Sequence, residues 1–186
     1  SLVAALLKAD STIEVSVSHT TRKPRPGEQN GINYHFVDSA AFEKLILDGV
    51  FLEHAKVFDN FYGTSRLWIE TRLAAGQDVI LEIDWQGAQQ IRRLMPDCLS
   101  IFILPPSRDV LEQRLKGRGT DSDEVIGLRM SEAASEMSHY PEYDYLVIND
   151  NFDTALKELH GIFLSQRMKI DRQKDHYHDL LVSLLS

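Results

Sequence analysis

A single cysteine, Cys98, is all that the 186 residues contain, which excludes an internal disulfide and fits a reducing compartment. No apolar run approaches the roughly 18 to 20 residues that a membrane-spanning helix needs, and the start lacks the basic-then-apolar pattern of a secretory leader. Cytoplasm is the expected location, with no membrane partner. Positive charge is also scarce. The 20 Lys and Arg are outnumbered by 28 Asp and Glu, and the formal charge of -8 repels polyanions at long range. General binding to a nucleic-acid polymer or an anionic membrane surface is therefore disfavoured, and any anion site must be local. Internal repeats and low-complexity tracts are absent, and with 43% hydrophobic residues the chain can form one packed unit with room for a sub-domain. The composition leaves a homo-oligomer open. An initiator methionine is missing too: Leu2, Val3, Leu6 and Leu7 already share a helical face, so a segment upstream of Ser1 is expected.

What is present begins with a half-buried strand, in which Ile13, Val15 and Val17 alternate with polar residues. The Lys-Pro-Arg-Pro-Gly stretch that follows must be a loop, because proline removes amide donors and restrains its predecessor. A short strand is expected over 34–37, a helix from an N-cap at Ser39 to Gly49, and a strand over 51–57. From residue 65 helices alternate with buried strands. The pattern gives a helix to Gly76, the strand VILEID, a helix through Leu94, the strand LSIFIL, a helix around 110–115 and a longer one over 121–140 ended by Pro141. The strand YLVIN and one long terminal helix from Phe152 complete it. Such alternation predicts an α/β fold, a parallel sheet wrapped by helices, with function at the carboxyl ends of the strands.

Several features suit phosphate chemistry, and each has a plainer alternative. Arg22 and Arg25 flank a rigid turn with Tyr34 close behind; guanidinium forks and a phenol suit a dianionic phosphate, and a solvated basic hairpin would look the same. Glu53 accompanies Tyr62-Gly63-Thr64 and is equally an outward-facing strand residue. Glu82 and Asp84, two apart on a strand, share a face where they could hold magnesium through water or accept from a substrate. Alternatively they cap the next helix. Arg114, Arg118 and Arg129 around Gly117 and Gly119 would suit a flap closing over phosphates, or an ordinary exposed helix-loop-helix. His176 and His178 are spaced to diverge on a helix and are read as surface residues.

Together, VSHTTRKPRPGEQNGINYHF, FLEHAKVFDNFYGTS, ILEIDWQGAQQI, RLKGRG with the later Arg129, and LVIND resemble the guanylate kinase family along essentially the whole chain. The resemblance implies a P-loop nucleoside-monophosphate kinase fold: a core of residues 1–17 and 80–186, an inserted GMP-binding sub-domain over 18–79, and a helical lid near 114–130. It implies ATP-dependent phosphorylation of GMP, with Mg2+ accompanying ATP. Positions matching Arg22, Arg25, Tyr34 and Tyr62 grip the GMP phosphate in the family, and those matching Ser18, Glu53 and Thr64 read the guanine. Asp84 resembles the acidic residue near the metal and substrate, and Glu82 stands where an aspartate is also common. Arg114, Arg118 and Arg129 match arginines around the transferring phosphoryl group, and Asn149 a residue near the ATP base.

The family's glycine-rich loop, with its lysine, precedes a helix similar to SLVAALLK. Ser1 then corresponds to the magnesium-binding hydroxyl of that loop or to the residue after it, and the chain as it stands is expected to be inactive alone. Non-catalytic guanylate-kinase-like domains that bind phosphopeptides are the alternative. Those typically lose the acidic strand end and the lid arginines, whereas this sequence keeps Asp84-Trp85-Gln86-Gly87 and the arginines.

Overall fold

Capping side chains set most of the helix starts. Ser1 accepts from the amide of Ala4 to open α1 (Leu2–Ala9), and Asp38, in place of the expected Ser39, caps α2 (Ser39–Leu47). An aspartate one residue earlier reaches the free amide of Ala41 at 2.7 Å, which leaves Ser39 inside the first turn. Ser65, Asp84, Ser122 and Asn151 likewise cap α3 (Arg66–Ala74), α4 (Trp85–Leu94), α6 (Asp123–Met137) and α7 (Phe152–Arg167). The remaining helices are α5 (Arg108–Gly117), a 3-10 turn at Tyr140–Glu142, α8 (Ile170–His176) and α9 (His178–Leu185). The expected single terminal helix is thus broken at Met168–Lys169 and again at Tyr177. The computed structural model describes residues 1–117, 119 and 122–186.

The strands fall into two kinds of layer. Parallel pairs join β1 (Ile13–Val15) to β6 (Asp78–Ile80) and β7 (Ile101–Leu104) to β8 (Tyr145–Ile148), as the helix-strand alternation predicts. An antiparallel unit built on β4 (Phe51–Val57) and β5 (Asn60–Ser65) carries β2 (His19–Thr20) on the other edge of β5, and β3 (His35–Phe36) lies parallel beside β2. A cavity of about 1020 Å³ lies between the two parallel pairs; its lining includes Leu81, Ile83, Ile101 and Phe102 and, among several charged residues, Glu82 and Asp84.

One core packs Leu2, Leu6, Ile13, Val147, Ala155 and Leu159, joining α1, β1, β8 and α7. A second packs Leu52, Ile69 and Ile91 with Val79, Leu81 and Ile83, and so ties the antiparallel unit to α3, β6 and α4. Phe42 rests against Phe51 and Phe61, at 4.7 and 5.5 Å between rings, to seal α2 onto the antiparallel sheet. At the far end Arg167 donates to Asp78 at 2.7 Å, Asp10 at 2.6 Å and the Thr12 hydroxyl at 2.8 Å, joining α7 to the ends of α1 and β6. Among the described residues no helix is long and apolar enough to cross a membrane.

VILEID is the clearest departure from expectation. The ladder with β1 stops at Ile80, because β1 turns away after Ser16 towards β2. Leu81–Ile83 continue without strand pairing, and Asp84 adopts φ -81 and ψ 179 as a helix cap. Glu82 and Asp84 are therefore not neighbours on a strand face.

Candidate active site

Glu53 sits in β4 opposite Thr64 in β5, and Ala55 sits opposite Tyr62. Alternation along strands puts Glu53, Tyr62 and Thr64 on one face. The other face of β5 needs glycine: a Cβ at Gly63 would lie 2.9 Å from the ring of Phe51. Glu53 is only 3% exposed, and the Thr64 hydroxyl donates to its Oε1 at 2.5 Å. Burial pushes the Glu53 carboxyl up to about 7, against the Thr64 hydrogen bond and helped by the charge of Asp84. A buried carboxylate with one lone-pair set still to satisfy suits a ligand offering adjacent N–H donors.

The basic knot is built onto the same sheet. Thr20 donates from Oγ1 to the Phe61 carbonyl at 2.9 Å and accepts from the Arg22 amide at 3.1 Å, while Thr21 accepts from the Phe61 amide at 2.9 Å. These bonds fix where the loop leaves β2. Arg22 then donates to both oxygens of Glu28, at 2.8 and 3.0 Å, and Glu28 also accepts the Arg25 amide at 2.7 Å. The Arg22 guanidinium lies 5.3 Å from the Tyr34 ring, and Tyr34 meets Tyr62 edge-on at 6.0 Å. Burial raises the Tyr34 phenol, with the Tyr62 and Glu82 charges adding to it, so Tyr34 stays a neutral donor. Arg22, Tyr34 and Tyr62 are thus gathered together, and Glu82 lies within electrostatic reach of them. Ser18 is half-buried at the start of this loop, its carbonyl accepting from His35 at 2.9 Å.

The amino end of α4 closes the site from the other side. Asp84 Oδ1 accepts the Gly87 amide at 3.0 Å and Oδ2 accepts from Gln86 at 3.0 Å, so the capping alternative describes its contacts. The exposed surface of Glu82 faces the cavity, and crowding by surrounding protein raises its carboxyl. Trp85 stacks on His139 at 3.8 Å and 8°, and its indole N–H donates to Glu136 at 3.2 Å, which fastens α4 to α6. Among the described residues no cluster of three or more His, Cys, Asp or Glu could hold a metal by itself.

Of the arginines expected in a lid, Arg114 and Arg129 are placed separately. Arg114 donates to the Asn149 carbonyl at 2.8 Å, joining two of the residues picked out in the sequence. Arg129, on α6, lies 5.4 Å from the Phe58 ring in the β4–β5 turn, so α6 reaches the antiparallel unit. Arg118 lies outside the described residues. Ser1 is spent as the cap of α1, and its hydroxyl is an acceptor there. His176 and His178 fall on different helices.

Sequence reasoning missed Glu28, which accepts from the Arg22 guanidinium and from the Arg25 amide; its signal was an acid three residues after Arg25 in an otherwise basic loop. It also missed Gln90. The side chain of that residue donates to the His54 carbonyl at 2.8 Å and accepts the His54 amide at 3.2 Å, and nothing in the local pattern announces it.

An α/β core of parallel strands, an antiparallel unit bearing a cationic clamp beside a buried carboxylate, and an arginine-bearing helix pair define the class of nucleoside-monophosphate kinases. The family model described as guanylate kinase matches residues 1–166. The guanylate kinase of Saccharophagus degradans is 58% identical over 186 residues, covering 100% of this chain and 91% of that relative. That of Chromohalobacter salexigens is 59% identical, covering 100% of this chain and 86% of the relative. The crystal structure of guanylate kinase from Anaplasma phagocytophilum superposes with a TM-score of 0.80 at 37% identity, over 92% of this chain and 83% of that one. The chain belongs to the guanylate kinase family.

Proposed function

We propose that the protein transfers the terminal phosphoryl group of ATP to a phosphate oxygen of GMP, giving GDP and ADP. The observation that carries this reading is the buried Glu53, bonded by Thr64, on the sheet face that also presents Tyr62 and adjoins the Arg22–Tyr34 clamp. Guanine presents adjacent N1–H and N2–H donors that one carboxylate accepts together, and adenine has no such pair. In this reading Glu53, Thr64 and Ser18 read the base, and Arg22, Arg25, Tyr34 and Tyr62 hold the phosphate. Residues 18–79 then act as the GMP-binding sub-domain on a core of 1–17 and 80–186.

A phosphate monoester with a second pKa of about 6 is already largely dianionic at neutral pH, so no strong general base is needed. Arg114, Arg118 and Arg129 offset charge on the transferring group, and closure of 114–130 excludes water that would hydrolyse ATP. Asn149 lies towards the ATP base. Among the described residues there is no preformed acidic cage, so Asp84, with Glu82 near it, is the residue that would approach a Mg2+ ion brought by ATP, and the chemistry such an ion would supply is neutralisation of phosphate charge. In this reading Ser1, which caps α1, lies on the ATP side. The reaction belongs in the cytoplasm with other purine nucleotide chemistry.

The test is GDP formation by the full-length protein from GMP and Mg-ATP, with AMP and IMP as competing acceptors. Efficient turnover confined to GMP is expected. Tight binding of a phosphopeptide without turnover would instead favour the non-catalytic alternative, which retention of Asp84-Trp85-Gln86-Gly87 and the arginines argues against.

A further inference from the structure

The Glu53 carboxylate lies against α4, the helix that Asp84 caps. Three side-chain positions of α4 meet β4. A Cβ built at Gly87 would lie 2.7 Å from Glu53 Oε2, 3.3 Å from its carboxyl carbon and 3.3 Å from the Ile83 Cβ. One turn on, Gln90 exchanges two hydrogen bonds with the backbone of His54, the residue next to Glu53, at 2.8 and 3.2 Å. Gln86, one turn before Gln90, donates to the Lys56 carbonyl at 3.2 Å. Gln86 and Gln90 therefore bind the backbone of β4 at two alternate residues, Lys56 and His54, and Gly87 between them lacks the Cβ that would crowd the Glu53 carboxylate against the helix.

We infer that Gly87 and Gln90 are positioning residues for base selection: α4 acts as a ruler that fixes Glu53 at the spacing and angle at which its carboxylate meets the guanine donor pair. The inference rests on the reading of Glu53 as the base-recognising group. A longer residue at 87 meets the far end of a flexible side chain, which can swing aside, so the fold tolerates it while the carboxylate loses its place. Loss of the Gln90 bonds frees β4 to shift against α4, and a two-point hydrogen bond to backbone is what fixes register as well as distance. Base selection in this enzyme would then depend on the seam between the core and the antiparallel unit, and not on the pocket wall alone.

The experiment compares Gly87→Ala, Gln90→Met and Glu53→Gln in the full-length protein. The readouts are dissociation constants for GMP, IMP and AMP by calorimetry, steady-state kinetics with GMP, and thermal melting. IMP lacks the 2-amino group and keeps one donor of the pair; AMP has neither. Gly87→Ala is expected to weaken GMP roughly 10-fold or more, the scale of one charge-assisted hydrogen bond made badly, with IMP losing less and AMP almost nothing. The KM for ATP should stay unchanged. Gln90→Met should give the same ordering more weakly, and Gln90→Glu, which keeps the acceptor for the His54 amide, should recover part of it. Equal losses for all three monophosphates, or unchanged GMP affinity in both folded variants, would overturn the ruler. If Glu53→Gln itself left the GMP, IMP and AMP ordering intact, the base-reading role of Glu53 would fail first. Collapse of selectivity in Glu53→Gln alone would leave that role standing and remove the one assigned to α4.

Discussion

Thr64 faces Glu53 across the β4–β5 ladder and donates its hydroxyl to that carboxylate at 2.5 Å, inside a site from which solvent is nearly excluded. A threonine so used holds one oxygen of the acid. The remaining acceptor capacity of Glu53 is what a base must compete for, and the first two predictions follow from it.

Glu53→Gln keeps the size of the side chain but replaces a charged acceptor with a neutral one and a new donor. The lost charge-assisted bond and an unsatisfied buried donor amount to roughly 2 to 4 kcal/mol, or about 30-fold to 1,000-fold in kcat/KM for GMP. AMP should be affected far less. Near-normal GMP efficiency in a folded variant would make Glu53 a structural residue.

Burial sets the sign of a pH effect. The Glu53 carboxyl is raised from 4.5 to about 7 in the folded protein, so its protonated form is favoured in the empty site, and stability from that source is lost as pH rises through about 7. GMP needs the ionised form. Its affinity should therefore rise with pH up to about 7 and then level, and Glu53→Gln should flatten the part of the profile that titration of the GMP phosphate does not explain. Calorimetry across pH 5 to 8.5, with proton release measured from buffers of different ionisation enthalpy, checks both.

Clamp and lid should separate kinetically. Arg25→Ala removes a group proposed to hold the GMP phosphate in ground state and transition state alike, and should raise KM for GMP with a smaller change in kcat. Arg129→Ala should mainly lower kcat, on the order of 100-fold or more, as expected for a cation acting on transferring charge. Unchanged turnover of Arg129→Ala at saturating substrates would remove the role proposed for it in phosphoryl transfer.

Far from the site, Arg167→Met should cost stability alone. It removes one partner from each of two acids, leaving Asp10 with Thr12 and His160 and Asp78 with Arg172, and the loss of these charge-assisted bonds at partly buried positions is worth about 1 to 2 kcal/mol, or roughly 2 to 8 °C in Tm for a chain of this size. The hydrogen bonds from Thr12 and then Arg167 hold the Asp10 carboxyl well below the usual carboxylate range. Stability from this source is present above the unfolded pKa and fades as pH falls through the folded one, so wild type and variant should converge in strong acid. GMP affinity should not move.

Local chemistry made much of this legible in the sequence. The helix-strand alternation after residue 65 gave the parallel pairs, since buried strands and amphipathic helices carry different periods. The loop after β2 could be read because Lys-Pro-Arg-Pro-Gly leaves a chain few conformations, whereas the choice of a phosphate-holding role for its arginines over a solvated hairpin came only from the family resemblance. VILEID could not be read as far as its end, because strand pairing depends on where the partner β1 turns, a long-range fact. Asp84 kept two readings open for a related reason: one carboxylate at a strand end and a helix start satisfies both patterns, and its bonds to Gly87 and Gln86 display the helix cap, which does not by itself exclude the other role. Gln90 and Glu28 were missed because each serves a backbone or side chain brought near by the fold, leaving no periodic trace.

The stack of Trp85 on His139 gives the molecule an optical gauge of its own. Indole emission is quenched by a protonated imidazole ring in contact, so below neutral pH the stack is a reporter, and these rings belong to different parts of the chain, one at the start of α4 beside Asp84, the other just past the end of α6, which carries Arg129. With Trp68 as the second of two tryptophans, a Trp68→Phe protein would carry a single fluorophore. Its brightness would report, without any attached dye, how closely the arginine-bearing helix follows the binding of each nucleotide.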